Sequence, residues 1–482
     1  MLRDDINIFI NGRWTPSADR ATRDVVNPAT GKIIARVAAG CRADVDAAVS
    51  SAKAAFESWS LTTPRERSER MAEFAAKVQA AKEDLIRHEA INGGKPLFGA
   101  RWEIEDFVVD GLKFFAGAAR MIEGIASADY LKGRTSSIRR DPLGVVAGIV
   151  PWNYPAELAA WKIGPSVAAG NTIVLKPSEG TPLSALMIAD LAAECFPPGV
   201  INVVLGDGGE VGGALADHPD VAMISVTGSE RTGKEVARRA SATLKRVHLE
   251  LGGNAPVIVF ADADLTLLVN TLRMGTYYNA GQDCTAATRI IVHESIHGNF
   301  LDAVKSMSES VIVGDPLAPG NEKVEVGPLA SAAQRARVAG FVESAKAGGA
   351  RIITGGSAPD TPGYFYAPTV VDGVSQNDDI VQEEVFGPLM TVQTFTNEDT
   401  ALLMANGVRQ GLAASVWTRD LGRAMRASGW LRFGTVWVNE HLPLVSEMPH
   451  GGHKSSGYGR DMSKYVFEEY TNTKHVMIRH GG

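Results

Sequence analysis

Cys284 lies in the run Tyr277-Tyr278-Asn279-Ala280-Gly281-Gln282-Asp283-Cys284-Thr285-Ala286 and is one of only 3 cysteines in 482 residues. Glycine and small polar neighbours open a thiol to a cleft more readily than an apolar run does. The thiolate is the best nucleophile a side chain offers near neutral pH. Cys41 and Cys195 lack such surroundings and read as inert. A nucleophile of this kind needs a base and a site for the developing oxyanion. Glu250-Leu251-Gly252-Gly253-Asn254 supplies a carboxylate on a backbone free to turn sharply, a candidate general base, though a surface glutamate would look the same. In Pro151-Trp152-Asn153-Tyr154-Pro155 the Asn153 amide can donate to an oxyanion, while Trp152 and Tyr154 are equally accounted for by core packing.

A second set of residues suits a dinucleotide. In Lys176-Pro177-Ser178-Glu179 the carboxylate of Glu179 can accept both hydroxyls of a ribose and would repel a 2′-phosphate, favouring NAD over NADP; a solvated loop pair is the alternative. Thr227-Gly228-Ser229 precedes a helical stretch whose free N–H groups suit phosphate. Gly228 to Lys234 imitates a P-loop, but Glu235 stands where the magnesium-binding Ser or Thr belongs, which argues against an NTPase. Gly206 to Gly212 approaches a Gly-x-Gly-x-x-Gly loop but has Val211 at the third position. Glu383-Glu384-Val385-Phe386-Gly387-Pro388 offers a carboxylate and an aromatic ring in a turn. No His-Glu-x-x-His or Cys-x-x-Cys occurs, so no metal is expected.

The elements that must position these residues follow from periodicity. Ile6 to Trp14 alternates around Asn11-Gly12, a hairpin. Helices are expected over Asp44–Trp59, Pro64–Ile91 and Glu103–Ala119. Strands at Val145–Val150, Thr172–Leu175, Ile201–Leu205, Val221–Val226 and Arg246–Leu249 then alternate with helices at Pro155–Ala169, Pro182–Glu194, Glu210–Ala216 and Glu230–Ala240. Apolar strands separated by helices form a parallel sheet covered on both faces, with ligands outside the carboxyl ends of its strands. A second α/β unit begins at Pro256 and runs to about Gly459. Thr473 to Arg479 alternates like a strand with nothing local to pair with, so it is expected to join another subunit's sheet.

Bulk composition narrows the function class. The length implies two or three domains, and 45% hydrophobic residues fill their cores easily. A net charge of −7 without a long basic run argues against nucleic acid. Acidic residues at Met1 to Asp5 do not suit a signal peptide, and no apolar stretch approaches the roughly 20 residues of a membrane span. A soluble enzyme of the reducing cytoplasm is expected.

Six segments, in order along nearly the whole chain, resemble the aldehyde dehydrogenase superfamily: 151–155, 176–179, 227–229, Glu250 to Pro256, Gly281 to Ala286 and 383–388. The resemblance implies two Rossmann-like parallel-sheet α/β domains plus a β oligomerisation arm. It places NAD binding in 1–124 and 143–252, catalysis in 253–458, and oligomerisation in 125–142 and 459–482. It further implies a homotetramer, with a dimer second. Cys284 would attack the aldehyde carbon, Asn153 and the Cys284 N–H would hold the oxyanion, and Glu250 would activate the water that hydrolyses the thioester. Lys162 and Asp461 match the relay for the Glu250 proton, Asp461 replacing the more usual Glu. Lys176 and Glu179 would take the adenosine ribose, Ser229 the pyrophosphate and Glu384 the nicotinamide ribose. Ile149, Trp152, Gly208, Thr227, Gly228, Thr232, Leu251, Gly252 and Phe386 would complete the cofactor site.

Phe114 to Arg120, Ile138 to Val146, Tyr277 to Asp283 and Val445 to Gly452 look closer still to the 4-aminobutyraldehyde (1-pyrroline) dehydrogenases, which oxidise ω-aminoaldehydes. An ammonium tail would find Asp283 and Asp110 as charge partners and Tyr154, Trp161 and Tyr278 as ring faces. Phe107 and Leu444 complete the expected substrate channel. Glu157 and Glu440 depart from that subgroup, so betaine aldehyde and broad-range aldehyde oxidation stay open. From another class, a cofactor-independent thiol esterase could use Cys284 and Glu250, but it leaves Lys176, Glu179 and Glu384 unexplained.

Overall fold

The computed structural model describes residues 5–124 and 127–480; Met1 to Asp4, Ile125 and Ala126 of the expected arm, and Gly481-Gly482 lie outside them. Local chemistry sets the elements. Asn11 and Gly12, at φ 53° and 73°, turn the hairpin between Ile8–Ile10 and Arg13–Thr15. Pro64 opens its helix behind Thr63, whose backbone N–H donates to Glu66 at 2.7 Å in a capping box. The expected helix over 64–91 is two, Pro64–Ala80 and Lys82–Gly93, broken at Ala81 and closed by left-handed Gly94. The expected helix over 103–119 starts earlier, at Leu97, and its Glu103–Val109 stretch is a widened π turn. π turns recur at functional sites, and this one carries Phe107 to the cavity described below and Glu103 to a buried ion cluster with Lys95.

The first large sheet has eight strands. Its parallel centre is, in spatial order, Arg246–Leu251, Val221–Gly228, Val145–Ile149, Thr172–Lys176 and Ile201–Val203. Chain order runs outward from Val145–Ile149 to one side, then restarts on the other with Val221–Gly228. That reversal opens a crevice at the carboxyl ends of these two strands, at Trp152-Asn153 and Thr227-Gly228. The second large sheet has seven strands, parallel except for the edge strand Arg351–Thr354. It begins at Ala255–Val259, with three residues between it and Leu251, which ends the first sheet's strand. Gly457–Tyr458 returns from the second unit to pair with Leu249 and Glu250.

The Pro155–Ala168 helix is buried on all sides. A helix buried all round must be apolar or give each polar side chain a partner or a use, which directs attention to its Glu157 and Lys162.

One expectation is corrected. The C-terminal strand, Thr471–Arg479, has a partner in its own chain: it pairs antiparallel with Arg134–Pro142 from end to end. Pairing across more than 300 residues leaves no local sequence signal, so alternation reveals the strand but not its neighbour. Its opposite edge is the outer edge of the three-stranded arm sheet. No described helix is long and apolar enough to cross a membrane.

Candidate active site

The connection between the two sheets fixes the centre of the site. Gly252 and Gly253 cannot carry side chains: a Cβ on Gly252 would lie 2.1 Å from Glu384 Oε2, and one on Gly253 would lie 2.0 Å from the Cys284 carbonyl oxygen. These glycines let three segments meet, with Glu250 on one strand end, Cys284 on its loop and Glu384 on the 383–388 turn. Glu384 accepts the Gly253 N–H at 3.0 Å.

The Cys284 loop is built from strained backbone. Asn279, Ala280 and Gly281 are left-handed in succession, at φ 49°, 55° and 68°. Left-handed conformations at Asn279 and Ala280 each cost about 1–3 kcal/mol and persist where surroundings fix them. Here they are fixed: Asn279 Nδ2 donates to the Asn153 carbonyl at 2.9 Å, Asn153 Nδ2 donates to the Gln282 carbonyl at 3.1 Å, and Gln282 Nε2 donates to the Asn279 carbonyl at 2.9 Å. A side-chain amide has two N–H donors, so Asn153 keeps a second one for the cavity it lines. Cys284 is half-buried. Burial first, then the nearby Glu250, Asp283, Glu384 and Glu157, hold its thiol well above the usual pKa.

Cys284, Glu250 and Asn153 line one cavity of about 920 Å³. Trp152, Thr227, Gly228, Ser229, Leu251, Gly252, Glu384 and Phe386 line it too, as do Phe107, Tyr154, Glu157, Trp161, Tyr278, Asp283 and Leu444. On the cofactor side the Trp152 and Phe386 rings meet edge-on at 5.3 Å. Ser229 caps the Glu230–Ala240 helix by accepting the Thr232 N–H at 3.2 Å. Beyond the cavity wall, buried Lys176 donates to Glu179 at 3.3 Å. Gly208 starts the turn that brings Gly212 against Ile149 and Lys176. Burial pushes the Glu384 carboxyl up to about 8.

Two expected residues lie elsewhere. Asp110 is exposed, off the cavity wall, and accepts the Ser446 hydroxyl at 2.7 Å. The helix turns it outward because Leu112 and Phe115 face the core. Lys162 is fully buried behind the wall in an ion pair with Asp461 at 2.7 Å.

The substrate side holds a group that spacing could not show. Lys95, buried under the cavity, pairs with Glu89 at 2.8 Å and with Glu103. Its ammonium also lies 4.5 Å from the Tyr154 ring centre. The Ala156 N–H, at the start of the Pro155–Ala168 helix, donates to Glu89 at 3.2 Å. Glu157 follows in the same turn; burial first, then Glu103, raises its carboxyl well above the usual range, and burial lifts Glu103 to about 8. Asp283, by contrast, is committed: Oδ1 accepts from the Thr285 N–H and hydroxyl at 2.5 and 2.7 Å, and Oδ2 from the Tyr154 hydroxyl at 2.5 Å. His450 also lines the cavity, 3.4 Å from Glu250. Its only sequence signal was its place in Val445 to Gly452.

Two large, mostly parallel sheets and a cavity between them lined by a thiol, a carboxyl and a side-chain amide suit an enzyme. The chain belongs to the aldehyde dehydrogenase family, whose model matches residues 14–476. It is 39% identical over 476 residues to betaine aldehyde dehydrogenase of Bacillus subtilis (strain 168), covering 97% of this chain and 96% of that one. It is 38% identical over 480 residues to peroxisomal aminoaldehyde dehydrogenase 2 of Pisum sativum, covering 97% and 95%. Among solved structures, an NAD+ complex of Bacillus cereus aldehyde dehydrogenase superposes with a TM-score of 0.97 at 37% identity, covering 99% of this chain and 97% of that one. Betaine aldehyde dehydrogenase of Staphylococcus aureus in complex with NAD+ gives 0.96 at 37%, covering 99% and 95%.

Proposed function

We propose that this enzyme oxidises an ω-aminoaldehyde to the amino acid with NAD, 4-aminobutyraldehyde being the model substrate. Glu157 carries the reading. It is a carboxyl on the cavity wall, beside Tyr154, Trp161 and Tyr278, above the Glu89–Lys95–Glu103 cluster. A primary ammonium gives such a carboxyl a charge-assisted hydrogen bond and the rings a cation–π partner. A trimethylammonium group has no N–H to donate, so Glu157 favours the primary amine over betaine aldehyde.

Cys284 attacks the aldehyde carbon, and its proton passes to Glu250. The Asn153 amide and the Cys284 N–H hold the oxyanion. Bound NAD, its nicotinamide half held by Glu384 and Phe386, would supply the hydride acceptor for that carbon. Once it has released the thiol's proton, Glu250 takes a second one from the water that attacks the thioester, and the C–S bond breaks with its electron pair on sulfur. The site fits NAD: Gly252 lets the Glu384 carboxyl close against the backbone at the cavity wall, where a Cβ would lie 2.1 Å from Oε2, and Ser229 opens an 11-residue helix at the crevice. Glu384 and Phe386 would hold the nicotinamide half, Ser229 and Thr232 the pyrophosphate, and Lys176 and Glu179 the adenosine ribose. We assign 1–124 and 143–252 to NAD binding, 253–458 to catalysis, and 125–142 with 459–482 to assembly of a cytoplasmic homotetramer. Relative kcat/KM for 4-aminobutyraldehyde, betaine aldehyde and a neutral aliphatic aldehyde, read as NADH formation, tests the function. The aminoaldehyde should lead; a neutral aldehyde that leads would overturn the substrate class.

A further inference from the structure

Among the cavity's buried polar atoms without hydrogen-bond partners are Glu250 Oε1 and His450 Nδ1. His450 Nε2 lies 3.4 Å from that same Glu250 oxygen, and both side chains are 2% exposed. One donor atom from each of Cys284, Glu250 and His450 falls within 4.8 Å of the other two. The imidazole is well anchored. The His450 N–H donates to the Asp461 carbonyl at 2.9 Å, the Asp461 N–H donates back at 2.7 Å, and the Trp161 ring meets the imidazole at 5.6 Å.

Glu250 needs a proton acceptor. Having taken a proton from water, it must pass it on inside a pocket that also holds Asp283, Glu384 and Glu157. Lys162, the expected relay, is tied to Asp461 at 2.7 Å and does not reach the cavity wall. An ammonium has no lone pair to accept a proton, whereas a neutral imidazole does. Among the described residues, the titratable groups that meet His450 are Glu250, Cys284 and Asp461, with Lys162 and His248 behind Asp461.

We infer that His450 accepts the Glu250 proton during thioester hydrolysis, a role additional to the nucleophile, base and oxyanion donor. Water adds its oxygen to the acyl carbon and gives one proton to Glu250. The C–S bond breaks with its electron pair on sulfur, and the product's acid proton passes to that thiolate. Glu250 then gives its proton to His450 Nε2, leaving carboxylate and imidazolium, and the imidazolium releases the proton through the cavity. Cys284 is a thiol again and Glu250 is ready for the next cycle.

The test uses the intact enzyme, NAD and a neutral aldehyde, so it is independent of the aminoaldehyde reading. His450→Gln and His450→Phe should keep the first-turnover burst of NADH, which also reports a folded, acylating site. Their steady-state rate should fall by roughly 10²-fold, the scale of acid–base catalysis. Wild-type kcat should decline toward acid pH, where a protonated imidazole can no longer accept a proton, and both variants should lose that decline. Added imidazole should restore part of the rate in His450→Ala. Wild-type steady-state rates with the same acid limb in both variants would overturn the inference, as would a loss confined to the burst.

Discussion

The two walls of the substrate cavity each carry a carboxyl, and they differ in what those carboxyls are free to do. Asp283, beside Cys284, accepts three hydrogen bonds that shape its own loop and tie it to Tyr154. Glu157, on the opposite helix, has no side-chain hydrogen bond to a described residue and borders a buried ion cluster instead. Adjacency to the nucleophile in sequence made Asp283 the more conspicuous acid. In space, the uncommitted acid is Glu157. A carboxyl recognises a ligand with whatever acceptor capacity its own fold leaves over.

The largest way to break this comparison is to remove the cation beneath Glu157. Lys95→Met leaves Glu89 and Glu103 buried with no counter-charge, which should cost about 3–5 kcal/mol. A marked fall in thermal midpoint, or loss of soluble protein, is expected. Adding Glu103→Gln to Lys95→Met should recover part of the loss by deleting a like charge. An unchanged midpoint in the single variant would show that Lys95 does not hold the cluster together.

Glu157→Gln probes recognition itself. Losing a charge-assisted hydrogen bond worth about 1.5–3 kcal/mol should lower kcat/KM for 4-aminobutyraldehyde by roughly 10–100-fold, and leave a neutral aldehyde of similar length within about 2-fold. Because the Glu157 carboxyl titrates above its usual range, the carboxylate forms as pH rises. KM for the aminoaldehyde should therefore fall with rising pH while the amine stays protonated, and Glu157→Gln should lose that slope. Equal losses on both aldehydes would remove Glu157 from ammonium recognition.

Asp283→Asn sharpens the other side. An amide can still accept from Thr285, but its N–H₂ faces the Tyr154 hydroxyl less favourably than a carboxylate oxygen does. The loop then loses part of its hold, and kcat should fall by up to about 10-fold, a cost of roughly 1 kcal/mol, for charged and neutral aldehydes alike. A selective rise in KM for the aminoaldehyde would instead return Asp283 to direct recognition.

How much of this was readable from the chain divides along the same line. Cys284, Glu250, Asn153 and the strands under them were legible because short motifs sit at strand ends, where local pattern and position coincide. The π turn at Glu103–Val109 was not, since a helical period barely registers one extra residue. The Glu89–Lys95–Glu103 cluster joins three residues whose polarity alone suggests a solvated face; only the wholly buried Pro155–Ala168 helix above them reveals otherwise. His450 was invisible as chemistry because it meets Glu250 from 200 residues away, through a two-residue backbone bridge to Asp461. Asp110 misled for the opposite reason. Its helix was placed correctly, but the face it occupies is set by Leu112 and Phe115 packing inward.

The smallest expected effect lies at the cofactor end, where a third carboxyl offers a control for the first two. Glu384 is buried like Glu157 but already accepts the Gly253 N–H at 3.0 Å, and its carboxyl titrates at about 8. Ribose hydroxyls donate better to a carboxylate than to a carboxylic acid. NAD binding should therefore favour the ionised form and release a proton below pH 8. The dissociation constant for NAD should fall a few-fold, about 1 kcal/mol or less, as pH rises from 6 to 8, then level off. Calorimetry in two buffers of different ionisation enthalpy would read the proton directly. Glu384→Gln should bind NAD without proton release. A wild-type affinity that is flat across this range would show that Glu384 meets the ribose in its neutral form, leaving Glu157 as the one cavity carboxyl whose charge is set by its ligand.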